Sequence, residues 1–211
     1  MSWLDRFPAN SSLDTRELAV ILACYALGSF TAGYYLVRFR TGEDVRQLGS
    51  GSVGAKNVGR CLGRSACLIT FLLDLAKGVV AVWAAFEFKL GPWGVVFAMI
   101  AVVAGHIWPA QLRFQGGKGI STTVGAILIY DPFIAPVLCG LFLLFYALSR
   151  NFVIGGLLAL AMAPLCMFAL GWPIPSVVGL SILAVIILCA HQRNIGEEIG
   201  RSRPRRTSEG N

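Results

Sequence analysis

Seven apolar stretches separated by short polar segments dominate this chain. Each contains few charged residues, and a membrane helix needs roughly 20 apolar residues to cross about 30 Å of hydrocarbon. The pattern therefore predicts an all-α integral membrane protein with about seven transmembrane helices, near residues 18–38, 66–86, 93–112, 119–131, 132–149, 152–171 and 175–191.

Proline positions refine this prediction. The fourth stretch is short, and the step Asp131-Pro132 separates it from the fifth, because a proline cannot continue the preceding helix. Pro164 lies inside the sixth stretch and predicts a kink there, which membrane helices tolerate when neighbouring groups satisfy the freed carbonyl.

Composition supports the membrane interpretation. Of the 211 residues, 56% are hydrophobic and 14% are charged, whereas a soluble domain has about a quarter charged residues. The net charge of +7 would suggest nucleic acid as a partner of a soluble protein. In a membrane protein it indicates basic loops that face anionic lipid or anionic substrates, and no nucleic-acid partner is expected.

The distribution of positive charge predicts an orientation. If the segments after the odd-numbered spans are cytoplasmic, the positive-inside rule is obeyed, with the N-terminus outside and the C-terminus inside. The chain then divides into an extracytoplasmic segment 1–17, a membrane domain 18–192 and a basic cytoplasmic tail 193–211. Those cytoplasmic segments hold most of the 18 lysines and arginines, namely Arg38, Arg40, Arg46, Lys56, Arg60, Arg64, Arg113, Lys118, Arg150, Arg193, Arg201, Arg203, Arg205 and Arg206.

The first cytoplasmic loop contains a glycine-rich string over residues 49–60. A Rossmann site is excluded, because such a site needs a βαβ unit that a chain of apolar spans cannot supply. The glycines still allow backbone N–H groups to approach an anion closely, and hydroxyl, amide and cationic side chains add donors. The string predicts a phosphate site with Ser50, Gly51, Ser52, Gly54, Lys56, Asn57 and Arg60.

The second loop enters the fourth span through Gly116-Gly117-Lys118-Gly119. It does not fit the Walker A pattern. It nevertheless places backbone N–H groups, a helix N-terminus and an ammonium group together, which favours an anion site. Ser121 or Thr122 is either a ligand or an N-cap of the helix, and the sequence favours neither.

Two further groups of polar residues stand out. His191 and Asn194 follow the last span, where they predict either a functional cluster or an interfacial anchor. Asp74 and Lys77 lie three residues apart inside the second span, share a helix face and can pair. That pair predicts either a function or a structural link, while His106, before an apolar stretch, is interpreted as structural.

Three motifs of this chain resemble those of the bacterial acyl-phosphate:glycerol-3-phosphate acyltransferases. They are G-S-G-S-V-G-A-K-N-V-G-R at 49–60, G-H-I-W-P-A-Q-L-R-F-Q-G-G-K-G at 105–119 and H-Q-R-N at 191–194. The resemblance covers about residues 18–200. It implies a membrane enzyme with seven spans that transfers a fatty acyl group from acyl phosphate to glycerol 3-phosphate, giving 1-acylglycerol 3-phosphate and phosphate in phospholipid biosynthesis.

The resemblance also implies roles for single residues. Ser50, Asn57, Arg60 and the loop 116–119 correspond to phosphate-site positions. The acceptor-side and catalytic residues correspond to Arg60, Lys118, His191 and Asn194. Neither a metal nor a cofactor is implied, and the expected partners are the two substrates and membrane lipids, with the active site on the cytoplasmic face of the bacterial inner membrane.

Two positions depart from the family's pattern. Lys56 stands where threonine is usual, and residues 150–156 contain no serine. A different acceptor is therefore one alternative, and a transporter of a phosphorylated solute is another, because the same loops could bind such a solute without reaction. A CDP-alcohol phosphotransferase is disfavoured, since the D-G-x-x-A-R carboxylate helix of those enzymes is absent.

Overall fold

The computed structural model describes residues 14–192, so the predicted tail from residue 193, Asn194 included, lies outside the described residues, as do residues 1–13. All regular structure in the described range is helical. Its α-helices are α1 Thr15–Ser29, α2 Ala32–Thr41, α3 Ala55–Leu62, α4 Arg64–Glu87, α5 Pro92–Ile107, α6 Ile120–Tyr130, α7 Ile134–Ser149, α8 Phe152–Ala169 and α9 Ile174–Ala190, with short 3₁₀ turns at Val45–Gln47 and Ala110–Leu112.

Four segments of the described chain are long and apolar enough to cross a membrane. They are Thr15–Thr41, Arg64–Glu87, Pro92–Leu112 and Phe152–Ala169. The helices α6, α7 and α9 are apolar but shorter. With 11 residues α6 extends only about 16 Å, which confirms that the fourth stretch is short. The total of seven spans stays a prediction.

The first apolar stretch is one candidate span, Thr15–Thr41, as predicted, but it is not one continuous helix. The backbone becomes extended at Phe30 and Thr31, between α1 and α2. The carbonyl groups of Gly28 and Phe30 each accept a hydrogen bond of 3.0 Å from Lys77 Nζ. A side chain from α4 thus satisfies carbonyls that an uninterrupted helix would have paired internally.

The predicted first loop contains a helix of its own. Gly54 precedes α3 and Gly63, with a φ of +89°, ends it. Val53 and Val58 are fully buried in a small apolar cluster with Val37 and Val45. This cluster packs the loop onto the end of the bundle and gives it a fixed shape.

The helix α5 lies at the centre of the bundle. In the most apolar 18 residues of the segment that contains α5, 61% of residues are buried, whereas the corresponding share is 39% in each of the other three long segments. It packs against α1, α4, α6 and α9, while α7 packs against α8. Large apolar side chains such as Leu22, Leu72 and Leu165 are exposed on the outside, as expected of a surface that faces lipid.

Glycines allow two helix pairs to approach closely. A Cβ atom on Gly28 of α1 would lie 2.1 Å from the carbonyl oxygen of Val102 in α5. In the other pair, a Cβ on Gly78 of α4 would lie 2.1 Å from the Thr122 oxygen, and one on Gly125 of α6 would lie 2.0 Å from the Leu75 oxygen. The position of α6 therefore depends on glycine at both sides of its contact with α4.

The chain reverses direction between successive long helices, so that α5, α7 and α9 end where α4, α6 and α8 begin. We call this the loop end of the bundle. At the opposite end, Asp131 is buried and accepts a hydrogen bond of 2.8 Å from Trp172 Nε1. The helical structure is interrupted between Tyr130 and Ile134, which confirms the predicted separation of the fourth and fifth apolar stretches. The helix α8 continues through Pro164.

Candidate active site

A polar cavity of about 560 Å³ lies at the loop end. Its walls come from the first loop and α3, from the second loop and the start of α6, from Asp74 in the middle of α4, and from the facing ends of α5, α8 and α9. The lining residues are Ser50, Ser52, Gly54, Ala55, Lys56, Asn57, Arg60, Asp74, His106, Lys118, Gly119, Ile120, Ser121, Phe152, Val153 and His191. Residues from all three sequence motifs thus meet in one place.

Asn57 organises the first loop. Its side chain is 2% exposed, and Nδ2 donates to the carbonyl oxygens of Leu48 and Ser52 at 2.9 Å each and of Val45 at 3.3 Å. Its Oδ1 accepts from the backbone N–H of Ser50 at 2.8 Å. With these bonds the amide is occupied within the loop, so its contribution in this structure is to hold the loop in shape.

The glycines of the first loop serve its backbone geometry. Gly49 and Gly51 have φ values of +55° and +71°, which side chains disfavour. The N–H of Gly51 donates to the Leu48 oxygen at 3.0 Å, and the N–H of Gly54 donates to Ser52 Oγ at 3.2 Å. The cationic side chains of Lys56 and Arg60 are exposed at the cavity, where an anion can reach them.

The second loop packs on the end of α5. The N–H groups of Gly116 and Gly117 donate to the carbonyl oxygens of Ile107 and His106, at 3.0 and 2.9 Å. A Cβ on Gly117 would lie 2.0 Å from His106 Nε2, so the imidazole ring occupies the space below this glycine. Both glycines hold the loop against α5, and the half-buried Lys118 then lines the cavity.

The start of α6 corrects one alternative from the sequence. The N-cap is Gly119, with a φ of +82°, and neither Ser121 nor Thr122 occupies the capping position. Ser121 lines the cavity, whereas Thr122 is fully buried within the bundle. Of the two, only Ser121 is placed to meet a ligand.

Arg46 joins the two loops, a role that its sequence context did not reveal. Its guanidinium group pairs with Asp44 at 2.6 Å and donates from Nη1 to the Leu112 oxygen at 2.9 Å. The hydrogen bond from Arg46 holds the pKa of the Asp44 carboxyl below its usual value. Because Leu112 precedes the second loop, this contact fixes the position of one loop against the other.

His191 follows α9 and is 6% exposed in the cavity wall. Its Nδ1 lies 2.8 Å from the Ile187 carbonyl oxygen, which can only accept, so Nδ1 carries the proton and Nε2 carries the lone pair. Burial lowers the pKa of this imidazole, the Ile187 bond raises it, and the positive charge of Lys118 lowers it. His191 is therefore neutral at physiological pH, with Nε2 as a proton acceptor.

The pairing of Asp74 with Lys77 is confirmed, and it includes a third residue. Lys77 Nζ lies 3.0 Å from Asp74 Oδ1 and 2.7 Å from His106 Nδ1. All three side chains are buried, and Asp74 and His106 also line the cavity. The sequence placed Asp74 and Lys77 on one helix face, but it could not show that α5 supplies the third member.

The start of α8 forms an apolar part of the wall. Phe152 and Val153 line the cavity in the stretch where no serine occurs. Asn151 caps this helix by accepting hydrogen bonds from the N–H groups of Val153 and Ile154, at 2.9 and 3.1 Å. The wall at this point thus offers apolar contact beside the polar loops.

Comparison with known proteins identifies relatives over most of the chain. Residues 18–200 match the family model described as glycerol-3-phosphate acyltransferase. The chain is 43% identical over 190 residues to glycerol-3-phosphate acyltransferase 1 of Desulfitobacterium hafniense (strain Y51), covering 90% of this chain and 94% of the relative. It is 41% identical over 189 residues to the glycerol-3-phosphate acyltransferase of Synechococcus sp. (strain JA-3-3Ab), covering 89% and 92%.

Two solved structures have a similar fold. The first is the glycerol 3-phosphate form of PlsY (YgiH), an integral membrane glycerol 3-phosphate acyltransferase, with a TM-score of 0.78 and 30% identity. The second is the lysophosphatidic acid form of PlsY, with a TM-score of 0.75 and 28% identity. Each comparison covers 89% of this chain and 94% of the other. The regular structure of residues 14–192 is all helical, and the chain is a membrane protein that belongs to the glycerol-3-phosphate acyltransferase family.

Proposed function

We propose that this protein transfers a fatty acyl group from acyl phosphate to glycerol 3-phosphate, giving 1-acylglycerol 3-phosphate and inorganic phosphate in phospholipid synthesis. The observation that carries the proposal is the polar cavity. It brings Lys56, Arg60 and Lys118 together with a neutral His191 at one end of an apolar bundle. Similarity to the glycerol-3-phosphate acyltransferases supports the acceptor. The resemblance of the three motifs to those of the acyl-phosphate-dependent enzymes supports the donor.

The charge of the cavity suits two phosphate-bearing substrates. Juxtaposing two anions is costly unless several cations surround them. Arg60 can grip phosphate oxygens in a bidentate manner, while Lys56 and Lys118 act as point charges. Ser50, Ser52 and Ser121 add neutral donors in the same cavity. The protein then contributes chiefly by positioning the substrates and by stabilising negative charge that develops on the reacting oxygens.

The reaction requires no covalent intermediate with the protein. The acyl phosphate is a mixed anhydride with a good leaving group. An acceptor hydroxyl oxygen attacks its carbonyl carbon, a new ester C–O bond forms, and the bond from that carbon to the phosphate oxygen breaks. The proton of the hydroxyl moves to His191 Nε2 or to a substrate phosphate oxygen, and inorganic phosphate leaves.

We further propose seven spans, an outside N-terminus and a cytoplasmic C-terminus, with the cavity facing the cytoplasm from the bacterial inner membrane. The positive charge of the loops that form the cavity supports this placement. The acyl chain would then extend from the cavity between apolar helices, beside Phe152 and Val153. A monomer contains all the cavity residues discussed here and is sufficient for the proposal.

Transport of a phosphorylated solute remains the competing function. Secondary transporters bind their solute near the middle of the membrane, between repeated halves of the fold. The cavity of this protein lies at the loop end instead, and its cations come from loops and helix starts. Reaction with a second substrate at one membrane face accounts for this position better than passage of a solute does.

The decisive experiment uses purified protein in detergent and measures phosphate release. Acyl phosphate with glycerol 3-phosphate should release phosphate and form 1-acylglycerol 3-phosphate, whereas acyl-CoA and acylated acyl carrier protein should form none of this lipid product. Arg60→Ala and Lys118→Ala should each lower kcat/KM by about 100-fold, comparable to the loss of a charged donor at a transition state. Arg40→Ala, an exposed cation of α2 away from the cavity, is the matched control and should keep full activity.

Two results would contradict the proposal. Wild-type turnover in both cavity variants would separate the cavity from the reaction. Failure to release phosphate, together with uptake of labelled glycerol 3-phosphate into vesicles that contain the protein, would indicate a transporter.

A further inference from the structure

An acidic side chain lies in the wall of a cavity that otherwise suits anions. Asp74 is 2% exposed, belongs to α4 and lines the cavity together with Arg60 and Lys118. A carboxylate repels phosphate groups, so phosphate binding does not explain its position. Burying an ionised group within a span is costly, which indicates that Asp74 is paired, used or both.

Pairing with Lys77 accounts for part of this carboxylate. An ammonium group has three N–H donors, and Lys77 Nζ donates to Gly28 O and Phe30 O at 3.0 Å each and lies 2.7 Å from His106 Nδ1. Asp74 Oδ1 is a buried oxygen that lies 3.0 Å from this nitrogen and 3.4 Å from His106 Nδ1. Lys77 therefore neutralises the charge of Asp74 at Oδ1 and leaves the other carboxylate oxygen without a partner among the described residues.

The second carboxylate oxygen is the available one. Both contacts of Asp74 with described residues are made by Oδ1, and none reaches Oδ2. An ionised carboxylate accepts up to about four hydrogen bonds and donates none. Oδ2 is thus the acceptor that Asp74 offers to the cavity, and its ligand must be a hydrogen-bond donor.

We propose that Asp74 accepts a hydrogen bond from a hydroxyl group of glycerol 3-phosphate and thereby selects a hydroxylated phosphate ester as the acceptor. This inference rests on the proposed function. Of the two substrates, an ionised acyl phosphate has no donor to offer, whereas glycerol 3-phosphate has two hydroxyl groups. The neighbouring Lys77 and His106 hold the carboxylate in place.

The first test compares ligand binding to the native protein and to Asp74→Asn, by calorimetry in detergent. Lys77 attracts the amide oxygen of the variant, which leaves the amide N–H group facing the substrate hydroxyl. The dissociation constant of glycerol 3-phosphate should rise by about tenfold or more, while that of inorganic phosphate should change little. Asp131→Asn, a buried carboxylate at the opposite end of the bundle, is the matched control and should bind both ligands as the native protein does.

The second test removes the hydroxyl groups of the ligand. The ligand 3-hydroxypropyl phosphate lacks the secondary hydroxyl, and 2-hydroxypropyl phosphate lacks the primary one. Against the native protein, one of these ligands should bind about tenfold more weakly than glycerol 3-phosphate, and Asp74→Asn should show almost none of that difference. The inference would be overturned if each of the two ligands lost the same affinity, relative to glycerol 3-phosphate, in the native protein and in Asp74→Asn. It would also be overturned if Asp74→Asn bound glycerol 3-phosphate as tightly as the native protein does.

The tests also separate this inference from the proposed function. Binding is measured without turnover, so a protein that binds glycerol 3-phosphate but releases no phosphate refutes the acyltransferase reaction and still decides the role of Asp74. If Asp74→Asn does not fold because the charge of Lys77 is left uncompensated, the double variant Asp74→Asn with Lys77→Gln is measured instead, because it removes both charges. That double variant must lose the same dependence on the ligand hydroxyl, and if it retains the dependence the inference is wrong.

Discussion

At the scale of single residues, the cavity combines exposed cations with one histidine held in a single tautomer. The Ile187 carbonyl fixes the proton of His191 on Nδ1, and burial keeps the ring neutral. A neutral imidazole with a free Nε2 can accept a proton at physiological pH. The geometry therefore makes His191 the protein group best suited to act as the base, with a substrate phosphate oxygen as the alternative.

The pH dependence of kcat/KM, which reports groups of the free enzyme, should distinguish these two bases. Protonation removes the base, so kcat/KM should fall as the pH decreases through the pKa of His191. Burial lowers this pKa, so the fall should occur below the ordinary histidine value of about 6.5. His191→Gln should lower kcat by about 100-fold or more and should lack this acid limb. An identical acid limb in the native protein and the variant would assign the proton to a substrate phosphate oxygen.

At the scale of helices, the close contact between α4 and α6 determines where Lys118 lies. This lysine immediately precedes α6, and α6 can approach α4 only because Gly78 and Gly125 lack side chains. A shift of α6 would move Lys118 relative to the first loop. We therefore expect packing within the bundle and the proposed phosphate binding at its end to be coupled through one short helix.

Substitution of Gly125 should reveal this coupling. The added methyl of Gly125→Ala would lie 2.0 Å from the Leu75 oxygen, and the helices must separate at a cost of about 1–3 kcal/mol. We expect a lower Tm in detergent and a higher KM for glycerol 3-phosphate. Gly140→Ala in α7 is the control, because its methyl would meet nothing within 4 Å and alanine favours a helix. Equal behaviour of the two variants would show that the contact does not position α6.

The helices themselves could be predicted from the sequence, since each apolar stretch carries its own signal of length and composition. The break at Phe30 could not, because its carbonyl depends on Lys77, which lies in a different helix. The helix α3 was also missed, because it is short and polar and is fixed by apolar contacts with Val37 and Val45. Contacts of this kind join residues far apart in the chain, and no local pattern records them.

The distinction between local sequence signals and contacts of distant residues also applies to the candidate site. The motifs identified Arg60, Lys118 and His191, and the cavity brings all three together. They did not reveal that Asn57 and Gly117 act within the loops, because a glycine-rich string indicates anion binding and tight packing alike. Nor could they reveal Arg46, whose partner Leu112 belongs to another loop.

At the scale of the whole molecule, the polar chemistry gathers at one end of an apolar bundle. The three motifs are distant in sequence, yet alternation of helix direction brings them to the loop end. The positive charge of the same segments predicts that this end faces the cytoplasm. Substrates and product would then exchange on one side of the membrane.

Reporter fusions should test this orientation in bacterial cells. A fluorescent protein fused after residue 211 should fluoresce, and alkaline phosphatase at that position should be inactive, because the first matures in the cytoplasm and the second outside it. Fusions after Leu90, in the turn at the opposite end, should give the reverse result and serve as the control. Active alkaline phosphatase at the C-terminus would invert the proposed orientation.

The ammonium group of Lys77 has a consequence for how the protein is made. It completes the end of α1 by binding the carbonyl groups of Gly28 and Phe30, although it lies more than 40 residues downstream. During synthesis the first hydrophobic segment reaches the membrane before α4, which carries this lysine. The hydrogen bonds from Lys77 to Gly28 and Phe30 therefore form only after α4 has been inserted beside the first segment. The interrupted first segment thus reaches its final structure by packing against a later helix and not on its own.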